Sequence, residues 1–94
     1  GSSALHQELL NAGRGMTQYS VDYPMDQPAI AVQQIYTSLK SRYGATLLAI
    51  AESPQHTPQL NPSLEHPVKP GSVIYYIADN RIHNFEWSLL TGTD

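Results

Sequence analysis

The pattern of hydrophobic and polar residues predicts three strands and one main helix. Residues 16–23 alternate apolar tyrosine and valine with polar residues, which is the period-2 pattern of a half-buried strand. Residues 46–51 and 72–78 are nearly continuous apolar runs, and their length and flanking turn residues favour strands as well. Apolar residues recur at spacings of three and four over residues 28–42, which predicts an amphipathic helix.

Short polar residues, proline and glycine mark the ends of these elements. Asp26 is expected to cap the main helix, with Pro28 in its first turn, and Gly44 is expected to end it. Residues 52–70 form a proline-rich polar loop, in which residues 59–61 are expected to form a short edge strand. The predicted fold is α+β: a small two-layer sandwich with one main helix packed on a mostly antiparallel sheet of three or four strands.

Several large side chains are assigned to packing. Ile50 and Ile77 are expected to lie in the buried core strands. Aromatic residues are interpreted as core or interface packing; these are Tyr19, Tyr23, Tyr36, Tyr75 and Tyr76. Phe85 and Trp87 are expected to pack over a sheet edge or on a neighbouring lobe.

The two ends of the chain are assigned separately. The opening Gly-Ser-Ser is typical of a tag remnant, and residues 3–12, with a narrow apolar face, predict an N-terminal connector helix. Residues 81–90 fit both a helix and a strand pattern, and a short helix or turn is the preferred interpretation. The expected division is residues 1–15 as tag remnant and connector helix, 16–83 as the domain, and 84–94 as a C-terminal tail.

Length, charge and composition argue against some classes of function. The chain has 94 residues, which is the size of one domain, and no run approaches the roughly 18 apolar residues of a membrane span. Its net charge of -3 with only five Lys and Arg offers no basic patch, so a nucleic-acid partner is not expected. Charged residues make up 14% of the chain, below the average of about 25%, which points to faces covered by a partner.

The sequence contains few residues that suggest catalysis or metal binding. The chain has no cysteine, so it offers neither a thiolate metal site nor a cysteine nucleophile. His56 and His66, with Glu52 and Glu65, lie in or beside the proline-rich loop and carry groups that bind divalent metals. No two of these histidines have the helical spacing of a zinc-protease site, so exposed loop residues are the preferred interpretation. Without a Gly-x-Ser-x-Gly elbow or paired carboxylates, no catalytic residue and no metal are predicted.

Three segments together carry a resemblance to a known family. Residues 39–50 read Leu-Lys-Ser-Arg-Tyr-Gly-Ala-Thr-Leu-Leu-Ala-Ile, an Asn61-Pro62 pair follows, and residues 68–78 read Val-Lys-Pro-Gly-Ser-Val-Ile-Tyr-Tyr-Ile-Ala. This order resembles the TrkA-type C-terminal lobe of RCK domains, which regulate potassium channels and transporters. In that family a helix ends at a Tyr-Gly step, and an Asn-Pro loop leads to a Lys-Pro-Gly-Asp turn before the last strand. Ser72 stands here in place of the aspartate.

The resemblance implies a function for the chain. It would be a cytoplasmic domain of an inner or plasma membrane protein that follows a Rossmann-like lobe, forms a homodimer and gates a membrane pore. A small-molecule or ion effector would bias the gate, and no cofactor is assigned. No Gly-x-Gly-x-x-Gly motif is present, so nucleotide binding through that motif is not expected. The alternative is a structural dimerisation module without a ligand.

The candidate ligand site comes partly from the same resemblance. In the family, effectors of this lobe are held near the start of the main helix, its end and the Asn-Pro turn, which correspond to Ile30, Arg42, Asn61 and Pro62. Arg42 would pair an anionic ligand in the dimer cleft. The alternative is that Arg42 is an exposed cation favoured by the helix dipole and that Asn61-Pro62 is a simple turn.

Overall fold

A computed structural model describes residues 16–91, so the predicted connector helix of residues 3–12 lies outside the described residues. The elements in chain order are β1 Thr17–Asp22, β2 Ile30–Ala31, α1 Val32–Ser38, a π-helical turn Leu39–Tyr43, β3 Thr46–Ala51, β4 Gln59–Leu60, β5 Pro67–Val68, β6 Val73–Ala78 and α2 Trp87–Thr91. None of the helices within residues 16–91 is long and apolar enough to cross a membrane.

The main sheet has four antiparallel strands in the order β1-β6-β3-β4. Tyr76 on β6 pairs with Tyr19 on one side and with Leu47 on the other. The register shifts between Leu47 and Ala49, where a bulge interrupts the β3–β6 ladder. The predicted α+β fold, with a main helix on an antiparallel sheet of three or four strands, is therefore confirmed, including the short edge strand β4.

The core fills the space between this sheet and α1. Ile35 and Leu39 from the helical segment and Tyr76 from the sheet are fully buried in one cluster. Ile50 is also buried, as predicted, but Ile77 is only half-buried, so its assignment to the core was wrong. Successive strand residues point to opposite faces, and because Tyr76 faces the core cluster, Ile77 faces the other side of the sheet.

The start of α1 differs from the prediction. The helix begins at Val32, and the residue before it has an extended backbone without a side-chain cap. The N–H of Val32 donates to the carbonyl of His66 at 2.9 Å, and the N–H of Gln33 donates to the carbonyl of Leu64 at 2.9 Å. The expected cap at Asp26 was therefore wrong, because loop carbonyls far along the chain satisfy the first helical N–H groups.

The short ladder between β2 and β5 explains why the helix starts late. Ile30 pairs with Val68 and Ala31 with Pro67, so the chain is extended just before α1. Pro28, expected in the first helical turn, precedes this ladder, and its carbonyl accepts a hydrogen bond from the hydroxyl of Tyr23. The ladder also holds the proline-rich loop against the start of the helix.

The end of the helical segment follows the prediction. Gly44 has a φ of 65°, in the left-handed region, and the N–H of Ala45 donates to the carbonyl of Leu39 at 2.9 Å. A glycine in this conformation is the usual way to end a helix, because it has no Cβ to clash with the backbone. The chain then turns directly into β3.

The C-terminal segment packs on the core. Residues 79–86 are irregular and lead into α2, which agrees with the preferred interpretation of a short helix or turn. The ring of Phe85 stacks on that of Trp87 with centroids 4.8 Å apart, and Trp87 meets Tyr23 edge-on at 5.3 Å. Both aromatic residues thus pack against the core cluster, and Leu90 is buried beyond them.

Candidate functional site

A groove of about 310 Å³ lies where α1 begins. Three parts of the chain that are distant in sequence build it: the first turns of α1, the start of β3 and the connection between β4 and β5. Its lining residues are Val32, Tyr36, Leu47, Asn61, Pro62 and Leu64. The groove is mostly apolar, with an amide and a phenol as its polar groups, which suits a ligand with a flat or apolar part.

The turn at Asn61 forms one wall of this groove and has an unusual backbone conformation. The φ of Asn61 is 54°, and it is the only residue other than glycine between 16 and 91 with a positive φ. Its N–H donates to the carbonyl of Leu48 at 3.3 Å, which ties the turn to β3. Asparagine visits the left-handed region more readily than other residues with a side chain, which accounts for an asparagine at this position.

The outer rim of the groove is apolar and exposed. Tyr36 is 39% exposed and Leu64 is 50% exposed, and both line the groove. Large apolar side chains grouped in this way commonly mark a surface that another molecule covers.

The structure brings together two of the four predicted site residues. Asn61 and Pro62 line the groove beside the first turns of α1. Ile30 immediately precedes that helix but is only 8% exposed, because it packs into the core next to Val68. Arg42 is exposed near the C-terminal end of the helical segment and is not among the residues that line the groove. Within one chain, Arg42 therefore does not reach the groove.

Sequence reasoning missed four lining residues. Val32 and Tyr36 belong to the apolar stripe of the predicted helix, which was assigned to packing, and Leu47 belongs to an apolar strand. Leu64 is an isolated apolar residue in a proline-rich polar loop, and that isolation was the available signal. None of the four could be grouped with Asn61 without knowing that the loop folds back onto the start of the helix.

A second, larger cavity of about 510 Å³ lies between the two ends of the proline-rich loop. Ile50 and Ser72, both buried, belong to its lining, together with the polar side chains of Glu52, His56, His66 and Lys69. Three of the four loop residues that carry metal-binding groups thus share one cavity, whereas Glu65 does not line it. Among residues 16–91, no three His, Asp or Glu side chains are grouped so that they could hold a metal ion.

The side chain of His56 is held by its own loop. Its Nδ1 lies 2.6 Å from the hydroxyl of Ser53, and its Nε2 lies 3.9 Å from a carboxylate oxygen of Glu52. Both Glu52 and His56 are largely exposed, at 75% and 60% of their side chains, so this contact contributes little to stability.

Comparison with known proteins supports the fold. No family model and no curated protein matches the chain. A solved structure described as the crystal structure of the GsuK RCK domain superposes with a TM-score of 0.57 at 19% sequence identity. The match covers 79% of this chain but only 16% of that chain. The likeness therefore establishes an RCK-like fold, in agreement with the resemblance seen in the sequence.

Proposed function

We propose that this chain is the C-terminal regulatory lobe of an RCK-type module that gates a potassium channel or transporter in response to a bound effector. The observation that carries the proposal is the groove at Asn61-Pro62 and the start of α1, found on an RCK-like fold. The parent protein would supply a preceding Rossmann-like lobe and the membrane pore, and this lobe would lie in the cytoplasm. A small molecule or ion would be the effector.

The groove supports a sensing role because its walls come from separate segments. The turn at Asn61 is joined to β3, whereas Val32 and Tyr36 belong to α1. A ligand that contacts both walls would favour one distance between the helix and the turn over others. Binding that favours one arrangement shifts the population toward it, and this is the free-energy coupling that a gate requires.

A second copy of the chain would complete the site. The exposed apolar rim, with Tyr36 and Leu64, offers a surface for a partner. In a two-fold dimer the same surface appears on both subunits, so each effector site would occur twice. Arg42, remote from the groove within one chain, would contribute to ligand binding only from the partner.

The test is a thermal-shift screen of the chain with divalent cations, nucleotides and cyclic dinucleotides, followed by sedimentation with each active compound. A ligand of the folded state raises the melting temperature by mass action. Tyr36→Ala, which removes a rim side chain, is expected to abolish the shift, and Lys40→Ala, at an exposed position outside both the groove and the larger cavity, is the control. Arg42→Ala tests whether the partner subunit contributes to the site. If the ligand still raises the melting temperature of this variant, Arg42 is an exposed cation at the helix end and not a ligand-binding residue.

The same experiment separates the alternative function, a dimerisation module without a ligand, which the apolar rim also favours. A chain that dimerises at micromolar concentration and responds to none of the compounds supports the alternative. A chain that stays monomeric with and without every compound contradicts both functions.

A further inference from the structure

The larger cavity is built around Ser72. Ala51 pairs with Val73 in the β3–β6 ladder, so Glu52, the first residue after β3, lies beside Ser72. On the other side, the N–H of Ser72 donates to the carbonyl of Lys69 at 3.0 Å across the Pro70-Gly71 turn. A turn closed in this way keeps its first and fourth residues within about 7 Å of each other. Glu52 and Lys69 therefore flank Ser72 from two sides.

Ser72 offers a hydroxyl at the buried side of the cavity. The residue is 3% exposed, and both of its backbone polar groups are used: the N–H donates to Lys69, and the carbonyl accepts the N–H of Tyr23 at 2.7 Å. Its side chain lines the cavity together with that of Ile50. The hydroxyl is thus the polar group that a bound molecule would meet deepest in the cavity.

The rim carries two opposite charges that do not pair with each other. Glu52 and Lys69 both line the cavity, and within residues 16–91 the carboxylate of Glu52 lies 3.9 Å from Nε2 of His56 and not within ion-pair distance of Lys69. Nδ1 of His56 contacts the hydroxyl of Ser53, so a residue of the same loop holds the imidazole in place. A carboxylate and an ammonium group are therefore both available to a ligand.

We propose that this cavity binds a small zwitterion of the α-amino-acid type. The ammonium group of the ligand would bind the carboxylate of Glu52, and its carboxylate would bind the ammonium group of Lys69 and the hydroxyl of Ser72. Charge-assisted hydrogen bonds of both signs favour a molecule that carries both charges over one that carries either alone. The cavity volume of about 510 Å³ lies in the range of small-molecule sites and leaves room for a side chain.

The experiment is a titration of the ¹⁵N-labelled chain with the common L-α-amino acids, followed by nuclear magnetic resonance and isothermal calorimetry. Propionate and propylamine serve as the anion-only and cation-only probes. We expect at least one amino acid to shift the amide signals of Glu52, Lys69 and Ser72, and both single-charge probes to bind at least about tenfold more weakly, a loss of about 1.4 kcal/mol.

Charge-removing variants assign the contacts. Glu52→Gln and Lys69→Gln should each weaken binding of that amino acid about tenfold or more, because each removes one charge-assisted contact. Glu65→Gln and Lys40→Gln, which remove an exposed charge outside the cavity, should leave it unchanged. Both test positions are exposed, so the variants should keep the fold, and the unperturbed amide spectrum checks this.

Two results would overturn the proposal. Either no amino acid shifts these signals, whether or not Zn²⁺ does, or propionate or propylamine binds as well as the amino acid. The groove at Asn61 shares no lining residue with this cavity, so an effector response lost in Tyr36→Ala and kept in Glu52→Gln belongs to the proposed regulatory site.

Discussion

The hydroxyl of Tyr76 accepts a hydrogen bond at 3.0 Å from the backbone N–H of Ile82, where the chain leaves the last strand. The hydroxyl of Tyr43 accepts a second at 3.0 Å from the N–H of Glu86. These two bonds attach the irregular segment of residues 79–86 to the core. They carry the segment to the point where Phe85 and Trp87 pack on the aromatic cluster.

Replacing these tyrosines by phenylalanine is expected to lower stability unequally. Tyr76 is fully buried and its bond to Ile82 is partly buried, so Tyr76→Phe should lower the free energy of unfolding by about 1 kcal/mol. The bond from Glu86 to Tyr43 is exposed, and water replaces it in Tyr43→Phe, so the loss should be smaller. Urea denaturation of both variants measures the difference. A larger loss for Tyr43→Phe would contradict this account of the attachment.

Replacing two isoleucines by alanine, one at a time, should distinguish the core face of the sheet from its outer face by the stability that each variant loses. Ile50 is buried in the core cluster, and Ile50→Ala is expected to lower the free energy of unfolding by about 2–5 kcal/mol through lost burial and a cavity. Ile77 is half-buried on the opposite face, so Ile77→Ala should lower it by less than half as much. Denaturant midpoints at equal protein concentration compare them. Equal losses would mean that a partner covers the outer face of the sheet.

The strands β1, β3 and β6 were predictable because their apolar patterns are strong and continuous. The start of α1 was not, because the sequence offers an ordinary local cap at Asp26 while the structure uses the carbonyls of Leu64 and His66. The use of these loop carbonyls instead of a side-chain cap depends on the β2–β5 ladder. Its two-residue strands are too short to give a periodic pattern in the sequence.

The candidate site was predictable only in part, for the same reason. Asn61-Pro62 stands out as a turn in the sequence, and the turn does line a groove. The partners of that turn come from the helix and from Leu64, which the fold brings near without any local pattern. Arg42 was predicted from its position at a helix end that precedes a strand and from the family resemblance. It does not line this groove within one chain, and its place in a site shared between two copies stays a prediction.

The left-handed conformation of Asn61 leads to a third prediction. Asn61→Gly should leave the free energy of unfolding nearly unchanged, because glycine accepts a φ of 54° without strain. Asn61→Ala should lower it by about 1–2 kcal/mol, because alanine does not adopt this conformation readily. Asn84→Ala, at an exposed position without a positive φ, is the control. Equal effects of glycine and alanine in thermal unfolding would show that the amide, and not the backbone, determines the preference for asparagine.

Gly71 allows a similar test in the turn beside the larger cavity. Its φ is 90°, and a Cβ added there would lie 3.2 Å from the sulfur of Met25. Gly71→Ala should lower the free energy of unfolding by at least about 1 kcal/mol, chiefly through backbone strain. Met25 is 77% exposed and free to move, so Met25→Ala should restore little of the loss. Full recovery in the double variant would assign the loss to the side-chain contact instead of the backbone.

Tyr23 should make the fold sensitive to alkali. Burial raises the pKa of Tyr23 above its ordinary value, because the charged phenolate is poorly solvated in the core. The unfolded chain therefore loses this proton first as the pH rises through about 10. The contribution of Tyr23 to stability is complete below that pH and is lost as the pH approaches its raised pKa in the folded state. In Tyr23→Phe the free energy of unfolding should fall less between about pH 8 and about pH 11 than in the parent chain. Tyr36→Phe, at a position 39% exposed, is the control and should lose as much stability over this pH range as the parent chain. If Tyr23→Phe also loses as much as the parent, groups other than Tyr23 cause the loss.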